Sequence, residues 1–171
     1  MADEHRVDRL WPDPASDLSL DEAFRRLDLP DRPLGRPLVG VNMITSIDGR
    51  AQLGGNAEGL GSRADRRLMR LYRSAYDAVA SGAGTLRADD FYSWLPDDLA
   101  EQRVAAGQPA QPFALLIAGT GAIPTDRRFF THAEQPRAVA VGADSPYANE
   151  PLSGVETWVA PDPVPQPGWL L

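Results

Sequence analysis

The sequence predicts an α/β fold built on a mainly parallel sheet, and three observations carry that reading. Short apolar runs bounded by Gly, Pro and small polar residues recur along the chain. Stretches with helical periodicity lie between them. The alternation continues at short spacing through 171 residues, enough for one domain with a real core.

Residues 1–36 read as an N-terminal extension. Trp11-Pro12-Asp13-Pro14 is irregular. Ser19-Leu20-Asp21-Glu22 has the form of a capping box, which predicts a short helix running to about Leu27. Pro30, Pro33 and Pro37 then hold the chain extended. Residues 38–47 (LVGVNMITSI) carry no charge and predict a central strand, since both faces are largely apolar. Residues 50–61 are glycine-rich. Ser62-Arg63-Ala64-Asp65 suits a helix start. Leu68, Leu71, Tyr72 and Ala75 follow at helical spacing, so that face is expected to meet the core. Arg66, Arg67, Arg70 and Arg73 fall on other faces.

Residues 77–81 (DAVAS) predict a second strand, broken at Gly82-Ala83-Gly84-Thr85. A helix is expected over 96–106, ended by Gly107. FALLIA at 113–118, RAVAV at 137–141 and VETWV at 155–159 predict three more strands. Trp169-Leu170-Leu171 reads as the start of a helix.

Composition excludes several chemistries. Without cysteine there is no thiolate nucleophile and no Cys-based zinc site. Without lysine there is no Schiff base and no P-loop lysine. A net charge of −7 argues against nonspecific nucleic-acid binding. His5 and His132 lie far apart and in no metal-ligand spacing. No apolar run reaches the length of a membrane span, and the first ten residues are charged, so a cytoplasmic location is expected.

Two strand ends carry polar decoration. Ser46-Ile47-Asp48-Gly49 closes the first predicted strand, and Gly82 to Asp90 closes the second. Ligands of open α/β sheets sit beyond the carboxyl ends of strands. Ser46-Ile47-Asp48-Gly49 alone better suits a turn in which Asp caps and Gly takes positive φ. Gly82-Ala83-Gly84-Thr85 equally suits a helix start capped by Thr85 or Asp89. Arg73, near the end of the first long helix, suits either a solvated face or a phosphate.

In order and spacing, VNMITSIDGRA, SRADRRLMRLYRSAYDAV and SGAGTLRADD resemble the pyrimidine reductase of riboflavin biosynthesis. That family shares the dihydrofolate reductase fold, a three-layer α/β/α sandwich. The match is best over residues 38–90. It makes residues 37–171 the N-terminal portion of a reductase domain. The fused deaminase of some relatives needs a cysteine-bearing zinc site that this sequence lacks.

The resemblance implies NADPH-dependent reduction of a ribosylamino-pyrimidine phosphate to its ribitylamino form. By matched position, Gly82, Thr85 and Asp89 would contact NADPH, with backbone near Ile44 and Ser46 lining its site. Arg73 would bind the substrate phosphate. Asp48 and Asn42 would face the pyrimidine and ribose as the catalytic pair. Many relatives carry Lys where Asn42 stands, and Asn can only hydrogen-bond. After Asp89-Asp90, Phe91-Tyr92-Ser93-Trp94-Leu95-Pro96 replaces a family segment that carries a substrate-binding Arg. The resemblance also implies a small-molecule partner, no nucleic acid or membrane, and a homodimer when full length. A later glycine-rich loop that cradles the cofactor phosphates in relatives is expected beyond Leu171. The chain is thus expected to be truncated, with a weakly active or non-catalytic fragment as one alternative and a dihydrofolate or pterin reductase as another.

Overall fold

Residues 5–11, 13–24, 29–31, 34–55, 57–119, 121–132 and 134–170 are described by a computed structural model. The chain divides into two units, Met1–Ala75 and Tyr76–Leu171.

In the first unit, β1 (Arg6–Arg9) pairs antiparallel with β2 (Ala15–Ser19), and a bulge lies between Val7 and Arg9. The sequence reading expected only an irregular extension here. Ion pairing holds this ribbon, because its strands are short and charge-rich. Arg6 Nε sits 2.8 Å from Asp17 Oδ1, and Arg9 Nε donates to the Asp13 carbonyl at 2.7 Å. Ser19 and Glu22 form the expected capping box at the start of α1 (Leu20–Phe24). The Glu22 N–H donates to Ser19 Oγ at 3.2 Å, and the Ser19 N–H donates to Glu22 Oε2 at 2.9 Å. The expected continuation to Leu27 lies outside the described residues, as does Pro33.

A short 3-10 turn at Glu58–Leu60 precedes α2 (Arg63–Ser74), whose N-cap Ser62 accepts from the Asp65 N–H at 3.1 Å. Arg67 ties α2 to α1, with Nε 2.9 Å from Asp21 Oδ1. The apolar face of α2 was expected to meet the core. No residue of α2 is buried, and Leu68, Leu71 and Tyr72 are half-exposed.

The predicted central strand at 38–47 is not formed. Residues 37–46 enter no strand ladder, and Val41 and Met43 are 77% and 73% exposed. Apolar β-branched residues favour extended backbone, yet a strand exists only when a neighbour takes up its N–H and C=O groups. Among the described residues no strand pairs with this stretch.

The second unit follows the sequence reading closely. Its four strands are β3 (Ala78–Gly82), β4 (Phe113–Ala118), β5 (Arg137–Val141) and β6 (Glu156–Val159). They lie in the order β3-β4-β5-β6, all parallel. The connections carry α3 (Ala83–Asp89), α4 (Asp97–Ala105), α5 (Arg128–Thr131) and α6 (Pro146–Asn149), with α7 (Pro167–Leu170) after β6. Gly107 ends α4 at φ +76°, as expected of a helix-terminating glycine.

Alternation along β4 turns Ala114, Leu116 and Ala118 into a core shared with Val139 and Val141 of β5. Ala83 and Leu86 of α3, Ile123, and Phe129 of α5 close that core. At the amino ends of the strands, side chains stand in for backbone partners. The Gln111 amide accepts from the Leu95 N–H at 2.7 Å and donates to the Leu95 carbonyl at 3.1 Å. Gln135 Nε2 reaches Ser93 Oγ and the Pro112 carbonyl at 2.9 and 3.1 Å. Arg103, 2% exposed, donates to the carbonyls of Pro109 and Tyr76, each at 2.8 Å. Its burial lowers the guanidinium pKa, and the nearby Asp77 charge partly offsets that.

After β5 the chain passes so close to residues 162–164 that a Cβ on Gly142 would sit 1.8 Å from the Pro163 carbonyl oxygen. Gly142→Ala is therefore expected to cost about 1–3 kcal/mol or more by overpacking against rigid backbone. Urea denaturation of the variant checks this. Wild-type stability would show that the 162–164 segment moves aside freely.

Candidate active-site elements

The carboxyl end of β3 is the best-formed candidate site in the second unit. The strand ends at Gly82, and α3 begins at once, with Gly82 as its N-cap residue in extended backbone. Ala83 and Leu86 bury inward, at 5% and 0% exposure, and so turn Gly84, Thr85 and Arg87 outward. A Cβ on Gly82 would meet nothing within 4 Å, and one on Gly84 would meet only Arg87 Nη2 at 3.9 Å. The backbone here is open to close approach, and the Thr85 side chain stands exposed beside it. Thr85 is the third residue of α3 and does not cap it, since the N-cap makes no side-chain bond.

The C-terminal half of α3 is pinned twice. Arg87 Nη1 donates to the Ala122 carbonyl in the loop after β4 at 3.0 Å. Asp89 is the last helical residue. The following Asp90 takes the left-handed conformation at φ 46°, uncommon for a residue with a Cβ. Arg128 holds it there: its N–H and Nε reach the two Asp90 carboxylate oxygens at 2.9 Å each, and Nη2 reaches the Asp90 carbonyl at 3.3 Å. The guanidinium also lies 4.1 Å from the centre of the Tyr92 ring. His132 stacks on Trp94 at 4.9 Å and on Tyr92 at 5.9 Å. Partial burial raises the Asp90 pKa, but the hydrogen bonds and charge of Arg128, with the charge of Arg127, outweigh it and leave the carboxyl below its ordinary value.

In the first unit, Ser46 to Arg50 forms a self-contained turn. The Gly49 N–H donates to the Ser46 carbonyl at 2.9 Å, and Gly49 sits at φ +80°. The Ser46 N–H donates to the Arg50 carbonyl at 2.9 Å, and Ser46 Oγ bonds the Asp48 carboxylate. Asp48 Oδ2 also pairs with Arg50 Nε at 2.9 Å. The polar groups of the Ser46–Asp48 pair thus close the turn on itself. Asn42 is exposed and Ile44 half-buried in the unpaired stretch before it. Arg73, in the last turn of α2, places Nη2 2.8 Å from Met69 Sδ.

The expected site residues therefore divide between the units. Asn42, Ile44, Ser46, Asp48 and Arg73 belong to the first, and Gly82, Thr85 and Asp89 to the second. The sequence reading noted Arg87 for its charge and His132 as a surface residue, but it did not foresee that Arg87 would bond the Ala122 carbonyl or that His132 would stack on Trp94 and Tyr92, and it missed Arg128 altogether. Asp90 and Arg128 stand 38 residues apart, and the only hint was the doubling of Asp89-Asp90 and Arg127-Arg128. A surface hollow of about 400 Å³, lined by Thr125, Tyr147, Glu150 and Leu152 among others, contains none of the expected residues. Among the described residues no three His, Asp or Glu side chains gather as metal ligands, and no helix is long and apolar enough to cross a membrane.

Residues 37–159 match the family described as the RibD C-terminal domain. The chain is also similar to the crystal structure of a pyrimidine reductase-like protein from Corynebacterium diphtheriae. That likeness has a TM-score of 0.60 and 26% identity, over 69% of this chain and 52% of that one. The chain thus spans about half the length of that relative. No match was found among curated proteins.

The Asp90–Arg128 bridge predicts an acid-sensitive contribution to stability. A carboxyl whose folded pKa is depressed stabilises fully above its unfolded value, about 3.9, and loses that contribution as pH falls through the folded value. Arg128→Ala should lower stability at pH 7 and flatten its decline below about pH 4. Thermal melts across pH 2–7 check this, and an unchanged acid limb would remove Asp90 from the account.

Proposed function

Because the chain belongs to the RibD C-terminal domain family, we propose that it is an NADPH-dependent reductase acting on a ribosylamino-pyrimidine phosphate. It has the mixed α/β fold and parallel sheet of the riboflavin-pathway reductases. One observation supports the finer reading most. The carboxyl end of β3 offers open backbone at Gly82 and Gly84 beside the exposed Thr85, inside the matched span.

Those residues fit a nicotinamide cofactor, because a flat ligand can approach unobstructed backbone and find a hydroxyl to bond. Bound NADPH would supply the hydride. Gly82, Thr85 and Asp89 would hold it, with backbone at Ile44 and Ser46. The pinning of α3 by Arg87 and Arg128 would keep Thr85 in place, which suits a reaction that depends on positioning more than on covalent chemistry. Arg73 would bind the substrate phosphate through its forked donors. Asp48 would orient the substrate and handle a proton. Asn42 would donate and accept hydrogen bonds without giving up a proton.

Fluorescence titration with NADPH tests the cofactor assignment. Binding that weakens about tenfold in Thr85→Val, the loss of one well-placed hydrogen bond, supports it. No NADPH binding by the wild type would overturn it. The substrate assignment is read from NADPH oxidation. Arg73→Ala should raise KM for a phosphorylated pyrimidine riboside about tenfold or more while NADPH affinity stays unchanged. Equal turnover of a pterin lacking phosphate, insensitive to Arg73→Ala, would move the substrate to the pterin class.

A further inference from the structure

A concentrated run of positive charge lies on α2, of which the reading above uses Arg73 alone. Helix α2 has the sequence RADRRLMRLYRS, with five arginines and one aspartate, a net charge of +4. Taken out of a chain total of −7, it leaves −11 on the remaining residues. At 3.6 residues per turn, Arg63, Arg66, Arg67, Arg70 and Arg73 fall within an arc of about 120°. Leu68 and Tyr72 lie on the opposite side. From Arg63 to Arg73 the row runs about 15 Å, at 1.5 Å per residue.

Such a row works against the helix that carries it. Arg63 and Arg67, and again Arg66 and Arg70, stand four residues apart, where like charges repel and destabilise a helix. The helix keeps its form through the Ser62 cap and the Arg67–Asp21 bridge to α1. Arg66 is exposed and Arg70 half-exposed. Guanidinium groups in a row match linked phosphates well, because each presents a planar fork of donors to two oxygens. A strongly acidic remainder opposes the approach of a long polyanion and leaves room for a short one.

We infer that the arginine face of α2 is a binding track for a small ligand carrying two or more linked phosphates. This goes beyond the substrate reading, which uses a single phosphate and Arg73 alone. The track rests on Arg66 and Arg70, which that reading does not employ.

Isothermal titration with sodium tripolyphosphate tests the inference, beside orthophosphate and a single-stranded RNA oligonucleotide in the same buffer. The wild type is expected to bind tripolyphosphate about tenfold or more tightly than orthophosphate, with an affinity that falls as salt rises. Arg66→Ala combined with Arg70→Ala should weaken tripolyphosphate about tenfold or more. Alanine favours the helix, so far-UV circular dichroism should show α2 intact. Arg66→Lys with Arg70→Lys keeps the charge and loses the fork, and should recover only part of the affinity. Undiminished tripolyphosphate binding by the double alanine variant would overturn the track. So would the absence of tripolyphosphate binding at physiological salt. Markedly tighter binding of RNA would overturn the small-ligand assignment. Orthophosphate binding lost only in Arg73→Ala reports on the substrate reading, and is read separately.

Discussion

The second unit depends on one constraint, the burial of β5 from Ala138 to Val141 between β4 and β6. Ala138, Val139, Ala140 and Val141 have no exposed surface, so every backbone group of that strand must find its partner in a neighbouring strand. The parallel registers do this, running from Ala114 against Arg137 to Ala118 against Val141, and from Ala138 against Glu156 to Val141 against Val159. Parallel pairing sends each connection back across the sheet, and so forces the helices between strands. Their placement then follows: α3 must leave β3 at its carboxyl end, and Gly82 to Thr85 must lie at that end. The chemistry of the candidate site is thus downstream of a packing requirement two strands away.

Strands of this kind were legible because they are marked twice. FALLIA and the AVAV of RAVAV are apolar runs, the two strands follow Pro112 and Pro136 and precede Gly119 and Gly142, and both were delimited to the residue. The 38–47 stretch carries the same local signal and forms no strand. Composition records a preference for extended backbone, while pairing is a property of the neighbour, which a window of ten residues does not contain. The β1–β2 ribbon failed in the opposite direction. RVDR and ASDLS show no apolar run, and their pairing rests on Arg6 finding Asp17 across eleven positions.

The candidate site was legible where residues act through their own segment. The Gly82–Asp90 stretch declared its small residues, its hydroxyl and its helix start. Its support was not legible, because support comes from elsewhere: Arg87 reaches a carbonyl 35 residues away, and Asp90 is held by Arg128. Ser46 and Asp48 show the converse. Both were read as ligand-facing, and both are engaged with each other and with Arg50. A ligand that drew on them would have to exchange bonds already made. Asp48 and Arg50 are exposed and Ser46 is half-buried, so that exchange carries little desolvation cost for the charged pair.

The unpaired stretch at 37–46 has a consequence for how the protein behaves in solution. It presents Val39, Val41 and Met43 to solvent, and no charged residue lies between Leu38 and Ile47 to discourage pairing with a like segment. Mutual repulsion between molecules carrying a net charge of −7 supplies the protection instead. That protection is a function of acidity, and it vanishes near the isoelectric point of about 4.8. Colloidal stability therefore rests on the charge of the whole surface rather than on this stretch, and mild acid withdraws it from every molecule at once.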